Sequence, residues 1–281
     1  MLPSTGLMHE CPWAEDSITI HSDGNVSCGL DDPHAKRSFG NVYEKSIAEI
    51  YANPEFDKIR ANLRRGRRCK GCNLFQLRDT ADVPAHKRAP LPVTIVVETT
   101  VKCNLRCDNA ACNPNNAPGL LTRHRSHLDL AKFNAIVDEL KDNLRTVHFF
   151  NYGEPFLHPQ AEDMLLYLRA ACPRVQIVTS TNGIPLAKSS RAEKVVLSEI
   201  DRMTFTIGGI RQESYSRYHA NGQVGLALQG LQNICEFKSR LGKTKPKIVW
   251  RYLAFRWNDS EQEIDAAIAL SRLYGVNQFC L

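Results

Sequence analysis

Glu98-Thr99-Thr100-Val101-Lys102-Cys103-Asn104-Leu105-Arg106-Cys107-Asp108-Asn109-Ala110-Ala111-Cys112 is the stretch on which the reading of this chain turns. It continues an apolar, β-branched run at 93–98 that reads as a buried strand. Three cysteines at C-x3-C-x4-C spacing fall on the loop leaving that strand. Three thiolates from one short loop can hold three corners of a cubane iron–sulfur cluster, and the fourth iron then lacks a protein ligand. No further cysteine follows before Cys172 to close the site. Zinc is the alternative: a structural zinc takes four ligands, and His124 and His127 could complete the set.

Downstream, strands alternate with helices. Strand-like runs at 146–150, 175–180, 203–207, 247–255 and 276–281 are separated by helical periodicity at 129–144, 160–171, 190–199, 224–241 and 260–273. This alternation implies a parallel sheet with right-handed crossovers, doubly wound or an incomplete barrel. In either case the working groups belong at the C-terminal ends of the strands. The expected fold class is α/β: a partial (β/α)6 TIM-type barrel over 93–281, preceded by a small Cys-rich cluster-binding module. The sixth strand has no covering helix, and a bare edge strand is a liability. The native chain is therefore expected to continue beyond Leu281 or to have that edge covered.

Upstream, 76–92 carries three prolines and little apolar pattern, and reads as a linker. Residues 1–75 read as a separate loop-rich module. Residues 17–21 alternate as a strand, 22–25 (Ser-Asp-Gly-Asn) form a tight turn, and 26–28 return. A helix spans 46–64 with Pro54 interrupting it. Cys11, Cys28, Cys69 and Cys72 lie here, and the module has too few apolar residues for a large core, so metal ligation is expected to supply stability. A zinc ribbon and an iron–sulfur cluster both suit four such cysteines.

The chain has 281 residues, 43% hydrophobic and 23% charged, an ordinary soluble composition. No apolar run approaches the roughly 20 residues of a membrane span. The start MLPSTGLMHECPW lacks a secretory pattern, so a cytoplasmic protein without membrane partners is expected. Ten cysteines in a reducing compartment point to metal rather than disulfides. The net charge of +6 includes basic runs at 64–70 and 123–125. They lack interleaved aromatics for base stacking and read as solvated faces, which disfavours a nucleic-acid partner. Cys172 and Cys235 read as core residues.

With these motifs in place, the sequence resembles the radical S-adenosylmethionine (SAM) superfamily. The loop carries Thr99, Thr100 and Cys-Asn-Leu-Arg-Cys at 103–107, with the third cysteine two residues beyond the usual C-x3-C-x2-C position. Asn151-Tyr152-Gly153-Glu154-Pro155 resembles the family's Gly-Gly-Glu-Pro motif, which meets the amino group of SAM. Thr179-Ser180-Thr181-Asn182-Gly183 resembles the Thr-Asn-Gly ending of the third strand. Thr206 and Gly208-Gly209 stand where relatives carry Ser-x-Asp-Gly, and Arg251 and Asn258 match further SAM-contacting positions. The resemblance implies that Cys103, Cys107 and Cys112 bind a [4Fe–4S] cluster. It also implies that Asn151, Tyr152, Gly153, Glu154, Pro155, Ser180, Asn182, Thr206 and Arg251 bind SAM.

Residues 11–72 resemble the SPASM or shorter Twitch module, which implies a second, auxiliary [4Fe–4S] cluster on Cys11, Cys28, Cys69 and Cys72. The implied chemistry is reductive cleavage of SAM to a 5′-deoxyadenosyl radical and hydrogen abstraction from a peptide, carbohydrate or other small-molecule substrate. Oxidation or epimerisation is the favoured outcome, with an electron donor such as flavodoxin or ferredoxin. Cys280, on the sixth strand, is the candidate hydrogen donor to a substrate radical, and His148, Tyr152 and His158 are candidates for substrate contact. An RNA-modifying relative and a non-catalytic zinc or iron–sulfur protein are the alternatives.

Overall fold

A computed structural model describes residues 7–28, 35, 37–67, 69, 72, 76–79, 90–107 and 123–281. In chain order the first strands are β1 (Leu7–Glu10), β2 (Ser17–Ile20), β3 (Asn25–Ser27), β4 (Gly40–Asn41) and β5 (Gln76–Asp79), with helices α1 (Pro12–Glu15), α2 (Ile47–Tyr51) and α3 (Pro54–Arg64) among them. The expected helix at 46–64 is thus two. Ser46 caps the first with a reciprocal Glu49 contact, and Pro54, lacking an N–H, starts the second at a position that needs none.

Beyond them come β6 (Thr94–Val97), β7 (Arg106–Cys107), α4 (Leu130–Leu140), β8 (Thr146–His148), α5 (Ala161–Ala171), β9 (Gln176–Thr181), α6 (Ser189–Leu197) and β10 (Arg202–Thr206). The chain continues through α7 (Gln212–Ser216), β11 (His219–Ala220), α8 (Val224–Arg240), β12 (Lys247–Arg251), α9 (Glu261–Tyr274) and β13 (Gln278–Cys280). Ser260 caps α9, and Gly275, at φ 78°, ends it.

β6, β8, β9, β10, β12 and β13 are hydrogen-bonded neighbours in that order, every pair parallel. Spatial order repeats chain order with no reversal, which is the winding of a barrel rather than of a doubly wound sheet. The strands β4 and β13 leave the sheet open at its two ends. The partial barrel expected from the alternation is what the chain forms. No helix among the described residues is long and apolar enough to cross a membrane.

The N-terminal hairpin behaves differently from a free-standing module. β2 lies parallel to β6, pairing Ser17↔Thr94 through Ile20↔Val97, so that β2, β3 and β4 complete one nine-stranded sheet. All four residues of β2 are buried, as in an interior strand, and Ile18, Ile20, Val26 and Phe39 belong to the same apolar core as Phe149, Phe205 and Trp250. The region thus compensates for its small apolar content by sharing the barrel's core. Cys172 and Cys235 are buried in that core.

Candidate functional site

The loop after β6 is fixed from three sides. Val101 N–H donates to Ser126 C=O (3.0 Å) and Leu128 N–H to Thr99 C=O (2.9 Å), binding the loop to the segment that leads into α4. Gly153 (φ 78°) packs against it: a Cβ there would lie 2.5 Å from Thr100 O and 2.7 Å from Lys102 O. Glu154 N–H donates to Lys102 C=O at 2.8 Å, and Asn182 Nδ2 donates to Asn104 Oδ1 at 2.9 Å. On the third side β11 pairs with β7, setting His219 opposite Cys107.

At the C-terminal ends of the strands lies a cavity of about 420 Å³. Cys103, Leu105 and Cys107 line one part, and Asn151, Gly153, Glu154, Ser180, Asn182, Thr206 and Arg251 line the rest. Seven of the nine SAM-facing positions expected from the sequence therefore meet there. Tyr152 instead packs with Val101, and Pro155 accepts from Thr99 Oγ1 through its carbonyl. Cys112 lies outside the described residues.

Glu154 is fully buried. Its carboxylate accepts from Thr181 Oγ1 (2.7 Å), Asn182 N–H (2.8 Å) and Phe156 N–H (3.2 Å). Burial pushes it up to about 7, against the lowering effect of those donors and of Arg191. Arg251 donates through Nε and Nη2 to Thr206 Oγ1, which fixes both at the cavity wall. The Tyr215 hydroxyl is buried without a hydrogen-bond partner among the described residues; burial, then Cys107, Glu154 and Cys103, pushes its acidity down. Soft thiols and a buried carboxyl lining one cavity fit a cysteine-held cluster and an ammonium-bearing cofactor.

Glu98 joins this loop to the N-terminal region. Its carboxylate accepts from Ser22 N–H (3.1 Å) and Asn151 Nδ2 (3.4 Å), and lies 3.5 Å from Arg123 Nε and 3.9 Å from His21 Nδ1. Burial raises its pKa, but His21, Arg123 and the Ser22 amide outweigh that and leave it below the ordinary value.

The other four cysteines are brought near one another from separate places. β1 and β5 pair antiparallel, Glu10 opposite Gln76, so Cys11 and Cys72 flank the same end of one ribbon. Cys28 follows β3, and Cys69 follows α3, whose buried Arg60 donates to Ala14 C=O at 2.6 Å. Burial pushes the Cys28 thiol up to about 12, with Cys11, Cys69 and Cys72 adding to it. Cys11 and Cys69 are raised first by burial, then by thiol neighbours, while Arg37 lowers Cys69. Among the described residues no three His, Cys, Asp or Glu side chains close on a single-ion site.

Four residues expected to make contacts lie outside the cavity lining. Cys280 does not line the cavity; its sulfur accepts from Gln278 on the outer strand. His158 is buried between Leu128 C=O (2.9 Å) and Gln160 N–H (3.0 Å), a structural role, and burial lowers it to about 4. His148 packs near Trp13 and Phe150. Asn258 donates to Gly208 C=O and Leu253 C=O, knotting the loop after β12 rather than entering the cavity. His219, which does reach Cys107, and Tyr215, which stacks on His219, sit in a short insertion with no periodic pattern, and no motif pointed to them.

The profile of the SPASM family, an iron–sulfur cluster-binding domain, matches residues 11–73. A GTP 3′,8-cyclase of Mycobacterium sp. (strain KMS) is 30% identical over 139 residues, 48% of this chain and 37% of that protein. The antilisterial bacteriocin subtilosin biosynthesis protein AlbA of Bacillus subtilis (strain 168) is 29% identical over 113 residues, 40% of this chain and 23% of that protein. The structure of native anSMEcpe with bound AdoMet aligns with 68% of this chain and 52% of that one, at 12% identity and a TM-score of 0.49. The match spans little more than a third of the length of the cyclase. The fold and the site define a barrel-type protein with a cysteine loop at the strand ends. The SPASM match and the relatives bear out the narrower resemblance, to radical SAM proteins that carry a SPASM-type module, which here lies N-terminal.

Proposed function

We propose that this chain cleaves SAM reductively and abstracts a hydrogen atom from a peptide, carbohydrate or other small-molecule substrate, with oxidation or epimerisation as the outcome. The observation that carries the reading is one cavity shared by Cys103, Cys107 and the polar ring from Asn151 to Arg251. Cys103, Cys107 and Cys112 hold a [4Fe–4S] cluster, and Cys11, Cys28, Cys69 and Cys72 hold the auxiliary one. A cluster held by these cysteines would supply the electron for reductive cleavage of SAM, the source of the hydrogen-abstracting radical. Glu154 receives the ammonium of SAM; near neutral pH the arriving cation favours its ionised form. Thr181, Asn182 and Phe156 hold that carboxylate in place. Thr206 and Arg251 form the far wall and leave Arg251 partly free for an anionic group. The electron donor is of the flavodoxin or ferredoxin type, and the reducing cytoplasm suits cysteine-held clusters.

Anaerobic reconstitution tests this directly. The expected result is about eight irons per chain, two four-iron clusters, and 5′-deoxyadenosine formed from SAM with dithionite. Zinc alone, or iron without SAM cleavage, overturns it.

A further inference from the structure

We propose that His219 is a positioning residue for the cluster, donating an Nδ1–H···S hydrogen bond to Cys107 that raises the cluster's reduction potential. This rests on the reading of Cys107 as a cluster ligand.

The tautomer follows from geometry. His219 Nδ1 lies 3.4 Å from Cys107 Sγ, and Gly208 N–H donates to Nε2 at 3.2 Å. A backbone N–H aimed at Nε2 requires a lone pair there, so the ring hydrogen of the neutral imidazole is on Nδ1, facing the sulfur. The opposite tautomer would set two hydrogens face to face at Gly208.

The ring is held in that pose. β11 pairs with β7, His219 opposite Cys107 and Ala220 opposite Arg106. Tyr215 stacks on the imidazole at 4.6 Å, and Tyr218 meets it edge-on at 4.8 Å. A Cβ at residue 208 would sit tightly, 3.1 Å from Leu253 Cβ and 3.2 Å from Leu253 O, so glycine lets the amide approach the ring without displacing Leu253. The contact joins residues 112 positions apart, so it is made by tertiary structure.

The electrostatic effect has a definite sign. A metal-bound cysteine is a thiolate and a good acceptor. A donor to that sulfur stabilises the more negative, reduced cluster and raises the potential. The cavity lies on the same side, so the donor also orients Cys107 toward it.

The test compares reconstituted wild type, His219→Leu and His219→Asn by EPR-monitored potentiometry of the four-iron signal that changes on adding SAM. His219→Leu should shift the one-electron reduction equilibrium about tenfold toward the oxidised form, 59 mV. His219→Asn, whose amide nitrogen stands near the Nδ1 position, should recover most of it. Both variants lose the acceptor for Gly208, so a merely structural role would move them alike. An unchanged potential in His219→Leu, or equal shifts in both, overturns the proposal. Should the variants fail to load iron, 15N-histidine spectra of the oxidised wild type decide: a hydrogen on Nε2 overturns it. A wild type that loads no cluster on Cys107 overturns the function reading and this proposal together.

Discussion

The two groups of cysteines are assembled in opposite ways. Cys103 and Cys107 come from one short loop, and the protein's effort goes into holding that loop: Gly153 beneath it, Asn182 beside it, His219 against its sulfur. Cys11, Cys28 and the Cys69/Cys72 pair come from the flanks of a ribbon, a hairpin and a helix, with whole strands and helices between them. Ligands adjacent in sequence cost little chain entropy to gather, so what the fold supplies there is orientation and an open side. Ligands scattered over 11–72 would cost much more, so metal bound there would act as a cross-link that favours the folded chain.

The largest effect expected is on chemistry. Cys107→Ala should abolish 5′-deoxyadenosine formation while the N-terminal group keeps about four irons and thermal unfolding moves little. Iron counting with product analysis checks both halves, and a variant that still cleaves SAM places the reactive cluster elsewhere. Next comes Cys28→Ala, which should cost the iron-loaded protein several kcal/mol. At about 2–4 °C per kcal/mol its melting temperature should fall by roughly 10 °C. The iron-free forms of wild type and variant should differ far less; an equal drop in both would dissolve the contrast between the sites.

Glu154→Gln probes the open side. SAM affinity in the wild type should rise as pH rises through about 7 and then level off, because the ammonium favours the ionised carboxylate. The variant should bind about tenfold more weakly at high pH, as loss of a charged hydrogen bond implies, and show no slope. In the ligand-free wild type the folded-state pKa lies above the ordinary 4.5. The linked stability is therefore complete below 4.5 and is lost as pH rises through about 7. Urea unfolding against pH checks it, and a wild-type curve parallel to that of Glu154→Gln refutes it. The smallest effect is expected for Cys280→Ser: SAM cleavage unchanged and stability within about 0.5 kcal/mol. Deoxyadenosine without substrate product in that variant would restore Cys280 as a hydrogen donor.

Local pattern carried most of the barrel. The apolar run at 93–98 and the helical spacing of Phe133, Ile136, Val137 and Leu140 report on their own burial, and the elements fall within a few residues of expectation. The cysteine loop and Glu154 were legible for the same reason, since their neighbours in sequence share their task. What stayed hidden is long-range. Nothing in Ser17–Ile20 announces parallel pairing with Thr94–Val97, because alternation in a strand does not name its partner. Glu98 reads as the end of a strand until His21 and Arg123 arrive beside it. His219 reads as a loop residue until β11 turns it onto Cys107.

The bonding of β2 to β6 has one more consequence. The hairpin and the barrel share a continuous ladder, so swinging the N-terminal region outward would mean tearing backbone hydrogen bonds across Ser17–Ile20 and emptying the Glu98 pocket. The separation of the two cysteine groups is therefore set by the architecture, as two terminals on one board.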